Sequence, residues 1–141
     1  MNKKIKKGLL GLLLIVLVLA GYGFYMYTKR PADIRKETVV YEISATALLA
    51  EFNRDEPAAG KKYIDKVIAV KGKVADIKTD TENQTTVFLD TGDLMASVTC
   101  SFYQEETSVV KLLRQGQEVT IKGKCTGKLM DVVLNKCSIN K

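Results

Sequence analysis

The chain has no histidine and no tryptophan among its 141 residues, only two prolines and only three cysteines. Without histidine it lacks the commonest general base and the commonest zinc ligand. Cys100, Cys125 and Cys137 are separated by 24 and 11 residues, spacings that match no zinc motif. Serine, lysine and aspartate occur, but in no recognisable nucleophile constellation. Asp80, Glu82, Asp90 and Asp93 do not follow the spacing of a calcium loop. Asp90 and Asp93 fall at a turn, where short acids suit the backbone anyway. The expectation is a protein that is not an enzyme and holds neither a metal nor a cofactor.

Charge is also missing, in two places. Gly8 to Thr28 carries none. Thr79 to Glu106 carries six acids (Asp80, Glu82, Asp90, Asp93, Glu105 and Glu106) and no lysine or arginine. The net charge of +6 comes from 22 basic and 16 acidic residues. Six of the basic ones, Lys3, Lys4, Lys6, Lys7, Lys29 and Arg30, precede Pro31 with no acid among them, which leaves 16 against 16 in the body. The basic balance is therefore a membrane-insertion signal and not a nucleic-acid-binding surface.

Twenty apolar residues wound as a helix span about 30 Å, the thickness of a hydrocarbon core. Gly8 to Thr28 is long enough, and Tyr22, Phe24, Tyr25 and Tyr27 gather at its far end, where amphipathic rings favour the membrane interface. Residues 1–30 are read as a transmembrane anchor, with membrane contact through residues 8–28. Lysines ahead of the apolar run hold the N-terminus in the cytoplasm. The rest is then expected outside it, in the periplasm or on the outer face of the inner membrane. The alternative is a cleaved signal peptide ending at Val18-Leu19-Ala20. The apolar run continues past that point, and Lys29-Arg30 resembles a stop. No cysteine lies near position 20, so lipid attachment there is not expected.

Residues 31–43 read as a charged linker and residues 44–141 as one domain of ordinary size. Ser44 is a candidate N-cap for a helix reaching about Asn53, with Ala45, Leu48, Leu49 and Phe52 on one apolar face. Asp55 and Pro57 start a second, shorter helix. The period then changes to two. Ile68, Val70, Gly72 and Val74 alternate with Lys71 and Lys73 on a first strand. Thr86 to Asp90 forms a second. Leu94, Ala96, Val98, Cys100 and Phe102 alternate on a third. A short helix from Val109 to Leu113 closes at Gly116. Val119, Ile121 and Gly123 alternate with Lys122 and Lys124 on a fourth strand, and Asp131 to Ile139 forms the fifth. Three strands, a helix and two strands is the order of an OB-fold, a mainly β, five-stranded barrel. Gly72 and Gly123 suit its sharp bends. Another small five-stranded barrel or half-open sheet is the alternative.

Particular runs carry a resemblance: Lys66 to Val74, Val98 to Phe102, Gly123-Lys124-Cys125-Thr126-Gly127, then Asp131-Val132-Val133-Leu134 and Cys137, with Phe52-Asn53 and Lys62-Tyr63 before them. Over about Tyr41 to Ile139 the chain resembles the bacterial tRNA-anti-like family of small exported or membrane-attached OB-fold proteins. The resemblance implies the fold. It implies little about function, because the name records likeness to anticodon-binding domains. Many members look like lipoproteins, whereas this chain lacks the lipidation cysteine.

OB-folds bind oligonucleotides across the second and third strands, and single-strand binders need a positive groove and stacking aromatics there. Here that region is acidic, and Phe88 and Tyr103 are its plausible exposed rings. An acidic platform repels phosphate. The reading is thus an extracytoplasmic binding or interaction module, with an oligonucleotide-binding OB protein as the alternative. Lys71 and Lys73 on the first strand and Lys122 and Lys124 on the fourth are expected to form an outward stripe. That stripe is either a solvated face or a contact for anionic headgroups or an envelope protein. In such a barrel the third and fifth strands lie parallel. Setting Leu94 beside Asp131 places Cys100 opposite Cys137, a candidate disulfide, with three buried free thiols as the alternative.

Overall fold

The computed structural model describes residues 2–28 and 33–140. Lys29, Arg30 and Pro31, read as the stop and the start of the linker, lie outside the described residues. The chain divides into two units, residues 1–32 and 33–141. In the first, helix α1 runs Lys3–Thr28 and buries none of its residues. At 1.5 Å per residue it is about 39 Å long, and it is long and apolar enough to cross a membrane.

The second unit is a closed barrel. Its strands are β1 (Tyr41–Ser44), β2 (Val67–Thr79), β3 (Thr85–Leu89), β4 (Val98–Phe102), β5 (Glu118–Lys128) and β6 (Val132–Ile139). The order is β1-β2-β3-β4-β6-β5, and β5 pairs back onto β2. The five expected strands are β2 to β6, and their closure is that of the OB-fold. β4 and β6 are parallel. β1 adds a short parallel strand to β2, Tyr41 beside Ile68.

Local chemistry explains the helices. Ser44 accepts from the amide of Ala47 and starts α2 (Ala45–Arg54), while Asp55 accepts from Ala58 and starts α3 (Glu56–Tyr63), with Pro57 in its first turn. Capping side chains satisfy amides that no helical carbonyl can reach. Leu48, Leu49, Phe52 and Tyr63 join the barrel core with Ile68, Val70, Val87, Phe102, Ile121 and Leu134. Helix α4 (Thr107–Val110) is one turn long and inserts the fully buried Val110 between β4 and β5 in sequence.

Three expectations change. Residues 33–40 are not a free linker. Ile34, in a 3-10 turn over Ile34–Lys36, is 2% exposed, and Val40 donates its amide to Val67 O at 2.8 Å. An isoleucine next to a barrel gains by covering itself, whatever charges flank it. The third strand also starts later, at Val98. Asp90 accepts from Gly92 N, Asp93 from Met95 N, and Thr91 donates to Ala96 O. These side-chain bonds hold residues 90–97 as a loop in place of a ladder, and Leu94 stands fully exposed at its tip. The register of β4 on β6 moves accordingly. Val98 lies beside Val132 and Cys100 beside Leu134, and after a bulge Phe102 lies beside Cys137.

The two glycines act differently from each other. A Cβ on Gly72 would come 3.1 Å from Ala45 Cβ, so Gly72 makes room for the start of α2. β5 shifts register against β6 between Lys122 and Lys124, at Gly123. A Cβ there would lie 2.6 Å from Cys137 Sγ.

Candidate functional site

The outer face of β3 and β4 carries alternate residues of each strand. Thr86 and Phe88 on β3 stand beside Ser101 and Thr99 on β4. All four are half-buried. β2 supplies Asp76 beside Phe88 and Lys78 beside Thr86. The centre of the face is thus one aromatic ring among hydroxyls. Thr99 Oγ1 is already committed to Asp131 Oδ2 at 3.1 Å, and the same carboxylate accepts from Ser97 N at 2.8 Å. Asp131 thereby ties the β5–β6 turn to the first residues of β4.

Both candidate aromatics already have a cation on them. Lys78 Nζ is 5.3 Å from the centre of the Phe88 ring, and the Arg35 guanidinium is 4.9 Å from that of Tyr103. Tyr103 also accepts, through its hydroxyl, the amide proton of Ile34 at 3.2 Å. Arg35 is held in turn by Asp33, at 2.8 Å. The hydrogen bond from Arg35 holds the Asp33 carboxyl below its ordinary range, and Asp33 raises the guanidinium. Sequence reasoning missed Asp33, Arg35 and Lys78. Lys78 could have been found as the outward residue of an extended first strand. For Arg35 no signal existed, because its partner is 68 residues away in the chain.

The four lysines do share one face. Lys71 lies beside Thr120 and Lys73 beside Glu118, and Lys122 and Lys124 lie beside Ala69 and Val67. They do not form an open stripe. Lys71 pairs with Glu118 at 3.0 Å, and Lys124 lies 4.0 Å from Asp65. Lys122 is only 9% exposed. Its ammonium donates to the main-chain carbonyls of Arg35 and Glu37. A buried ammonium must find acceptors, and here the folded-back residues 33–40 supply them. Lys73 remains exposed.

Cys100, Cys125 and Cys137 are free thiols, all fully buried. Cys100 and Cys137 both lie in the barrel core, Cys137 donates to Leu134 O at 3.5 Å, and burial, then the neighbouring Cys100 thiol, push Cys137 well up. Their proximity arises from the bulge in β4–β6 pairing and not from level registration. Burial also raises Cys125. Among the described residues no group of three or more histidine, cysteine, aspartate or glutamate side chains could hold a metal ion.

A closed five-stranded barrel of this order, with a short helix between its third and fourth barrel strands, defines an OB-fold binding domain, here preceded by an apolar helix. The chain belongs to the tRNA_anti-like family, whose model matches residues 1–139. No curated protein matches it. Among solved structures, a "putative nucleic acid-binding lipoprotein" from Klebsiella pneumoniae subsp. pneumoniae MGH 78578 superposes with a TM-score of 0.59 at 20% identity, over 79% of this chain and 100% of that one. Asparaginyl-tRNA synthetase from Entamoeba histolytica gives 0.40 at 19% identity, over 55% and 20% of the two chains. The Stn1–Ten1 complex from S. pombe gives 0.40 at 15%, over 53% and 58%. The first similarity shows the fold. The other two carry no argument.

Proposed function

We propose that this protein is a membrane-anchored OB-fold module that binds a partner or ligand outside the cytoplasm, without catalysis and without nucleic acid as its ligand. The observation that carries the second half is the state of the strand face. A cation stands over each of its two aromatic rings, Lys78 over Phe88 and Arg35 over Tyr103, each cation is paired with an acid, Asp76 and Asp33, and the segment from Thr79 to Glu106 has acids and no bases. Base stacking needs a free ring, and phosphate needs positive potential beside it. The first half rests on α1 and on the lysines in its first turns, ahead of the apolar run. Residues 8–28 then remain in the bilayer as an anchor. Oligonucleotide binding is the second reading, favoured by the name of the Klebsiella protein of the same fold.

The experiment is protease treatment of spheroplasts of cells making the full chain. Digestion of residues 33–140, with an α1-sized fragment left in the membrane, is the expected result. A protected domain, or a mature N-terminus near Gly21, would overturn the topology.

A further inference from the structure

An open groove of about 1060 Å³ lies between α3 and the β5–β6 hairpin. Ligand sites occupy about 300–1,000 Å³, so the size is sufficient. Phe52, Pro57, Ile64, Leu129 and Val133 give it a hydrocarbon lining. Two glycines keep it open. Added Cβ atoms at Gly60 and Gly127 would meet Ile64 Cδ1 at 3.3 and 3.4 Å. Gly127 has a φ of 125°, which disfavours any side chain there. Ile64 is 38% exposed and Leu129 90% exposed, so the apolar surface is uncovered.

Two lysines stand in this lining, Lys61 on α3 and Lys128 at the end of β5. Among the described residues neither has an ion-pair partner, whereas Lys62, Lys71, Lys78 and Lys124 have one. The lining's carboxylate is Glu56. Its threonine, Thr126, already donates to Val133 O at 3.1 Å. An extended peptide laid here would lose water from its amides and find few partners. A hydrocarbon chain has no such groups to satisfy.

We infer that this groove binds a single-chain anionic amphiphile of the fatty-acid class, its chain along Ile64 and Leu129 and its carboxylate between Lys61 and Lys128. The inference rests on the membrane-anchored reading, which keeps the domain among lipids.

The test uses the full chain in its own membranes and a palmitic acid carrying a photoreactive diazirine on its chain, with the matching alcohol as a neutral control. Adducts are mapped by mass spectrometry. The expected result is labelling in residues 56–64 and 126–133 as well as in α1. Groove labelling by the acid, but not by the alcohol, should fall several-fold in the Lys61→Glu, Lys128→Glu variant. Lys61 is exposed and Lys128 half-buried, and among the described residues neither has an ion pair for the reversal to break, so this variant is expected to fold, and α1 labelling in the same sample controls for insertion. Labelling in α1 alone overturns the inference and leaves the anchor reading standing. Loss of α1 labelling is the separate sign that the anchor reading has failed. Groove labelling that ignores both the charge reversal and the acid–alcohol difference overturns it too. So does groove labelling that appears only after peripheral proteins are stripped from the membranes, because a polypeptide would then be the occupant.

Discussion

The guanidinium of Arg35 lies 4.9 Å from the centre of the Tyr103 ring. Tyr103 lies 68 positions further along the chain. The contact makes residues 33–37 a strap on the barrel and places a cation over one face of the ring. Stability of the strap and availability of the face are therefore linked.

Removing acceptors or donors from the strap should loosen it. In Lys122→Met the carbonyls of Arg35 and Glu37 lose their ammonium donor. A hydrogen bond from a charged group contributes about 1.5–3 kcal/mol, and the neutral bond from Ile34 N to Tyr103 Oη about 1 kcal/mol. Urea midpoints should fall for Lys122→Met and less for Tyr103→Phe. Limited proteolysis should then cut within residues 33–40. Unchanged midpoints and cleavage patterns would show that the strap contributes nothing.

Gly123→Ala should destabilise the barrel by about 1–3 kcal/mol through overpacking, because its Cβ would lie 2.6 Å from Cys137 Sγ. Adding Cys137→Ala should return part of that loss, since the obstructing atom is gone. Gly72→Ala, with its nearest contact at 3.1 Å, should cost less. Melting temperatures of the four proteins check this, and a double variant no better than Gly123→Ala would refute the contact.

Glu51 supplies the pH dependence. Its carboxylate accepts from Tyr63 Oη at 2.8 Å and pairs with Lys62 at 3.3 Å. The Tyr63 hydrogen bond, and then Lys62, lower its pKa in the folded state. A lowered folded value means that the stabilisation is complete above the unfolded pKa of about 4.3 and is lost as pH falls through the folded value. The slope of stability against pH below about 4.3 should flatten in Glu51→Gln and in Tyr63→Phe. A slope equal to that of the parent in both would remove Glu51 from the account.

The cysteines should react slowly with thiol reagents in the folded protein and all three should react in denaturant. All are fully buried, and burial raises Cys125 and Cys137. Where exported protein carries a bridge, it should join Cys100 to Cys137. A mapped disulfide containing Cys125 would contradict the arrangement.

Much of this fold was legible in the residues. Ser44 and Asp55 cap the helices that they announce. The period-two runs at Ile68–Val74 and Val119–Gly123 became β2 and β5, with their apolar residues inside. What was hidden depends on contacts distant in sequence. Ile34 and Arg35 sit in a charged stretch that no periodicity marks. Leu94 continues the alternation of Val98 and Cys100, yet the hydrogen bonds of Asp90, Thr91 and Asp93 to their own backbone prevail. Lys122 reads as an outward lysine, and only the folded-back strap buries it. The face around Phe88 was located by strand order, but the cations over its rings came from residues outside it.

The central claim is that the strand face does not serve nucleic acid. Fluorescence anisotropy of labelled single-stranded DNA and RNA, titrated with the full chain in nanodiscs of zwitterionic lipid, tests it most directly. At physiological salt the account predicts no saturable binding at protein concentrations up to about 10⁻⁴ M, the weak end of non-specific affinity. Saturable micromolar binding that weakens with salt, and that disappears in Phe88→Ala, would contradict it.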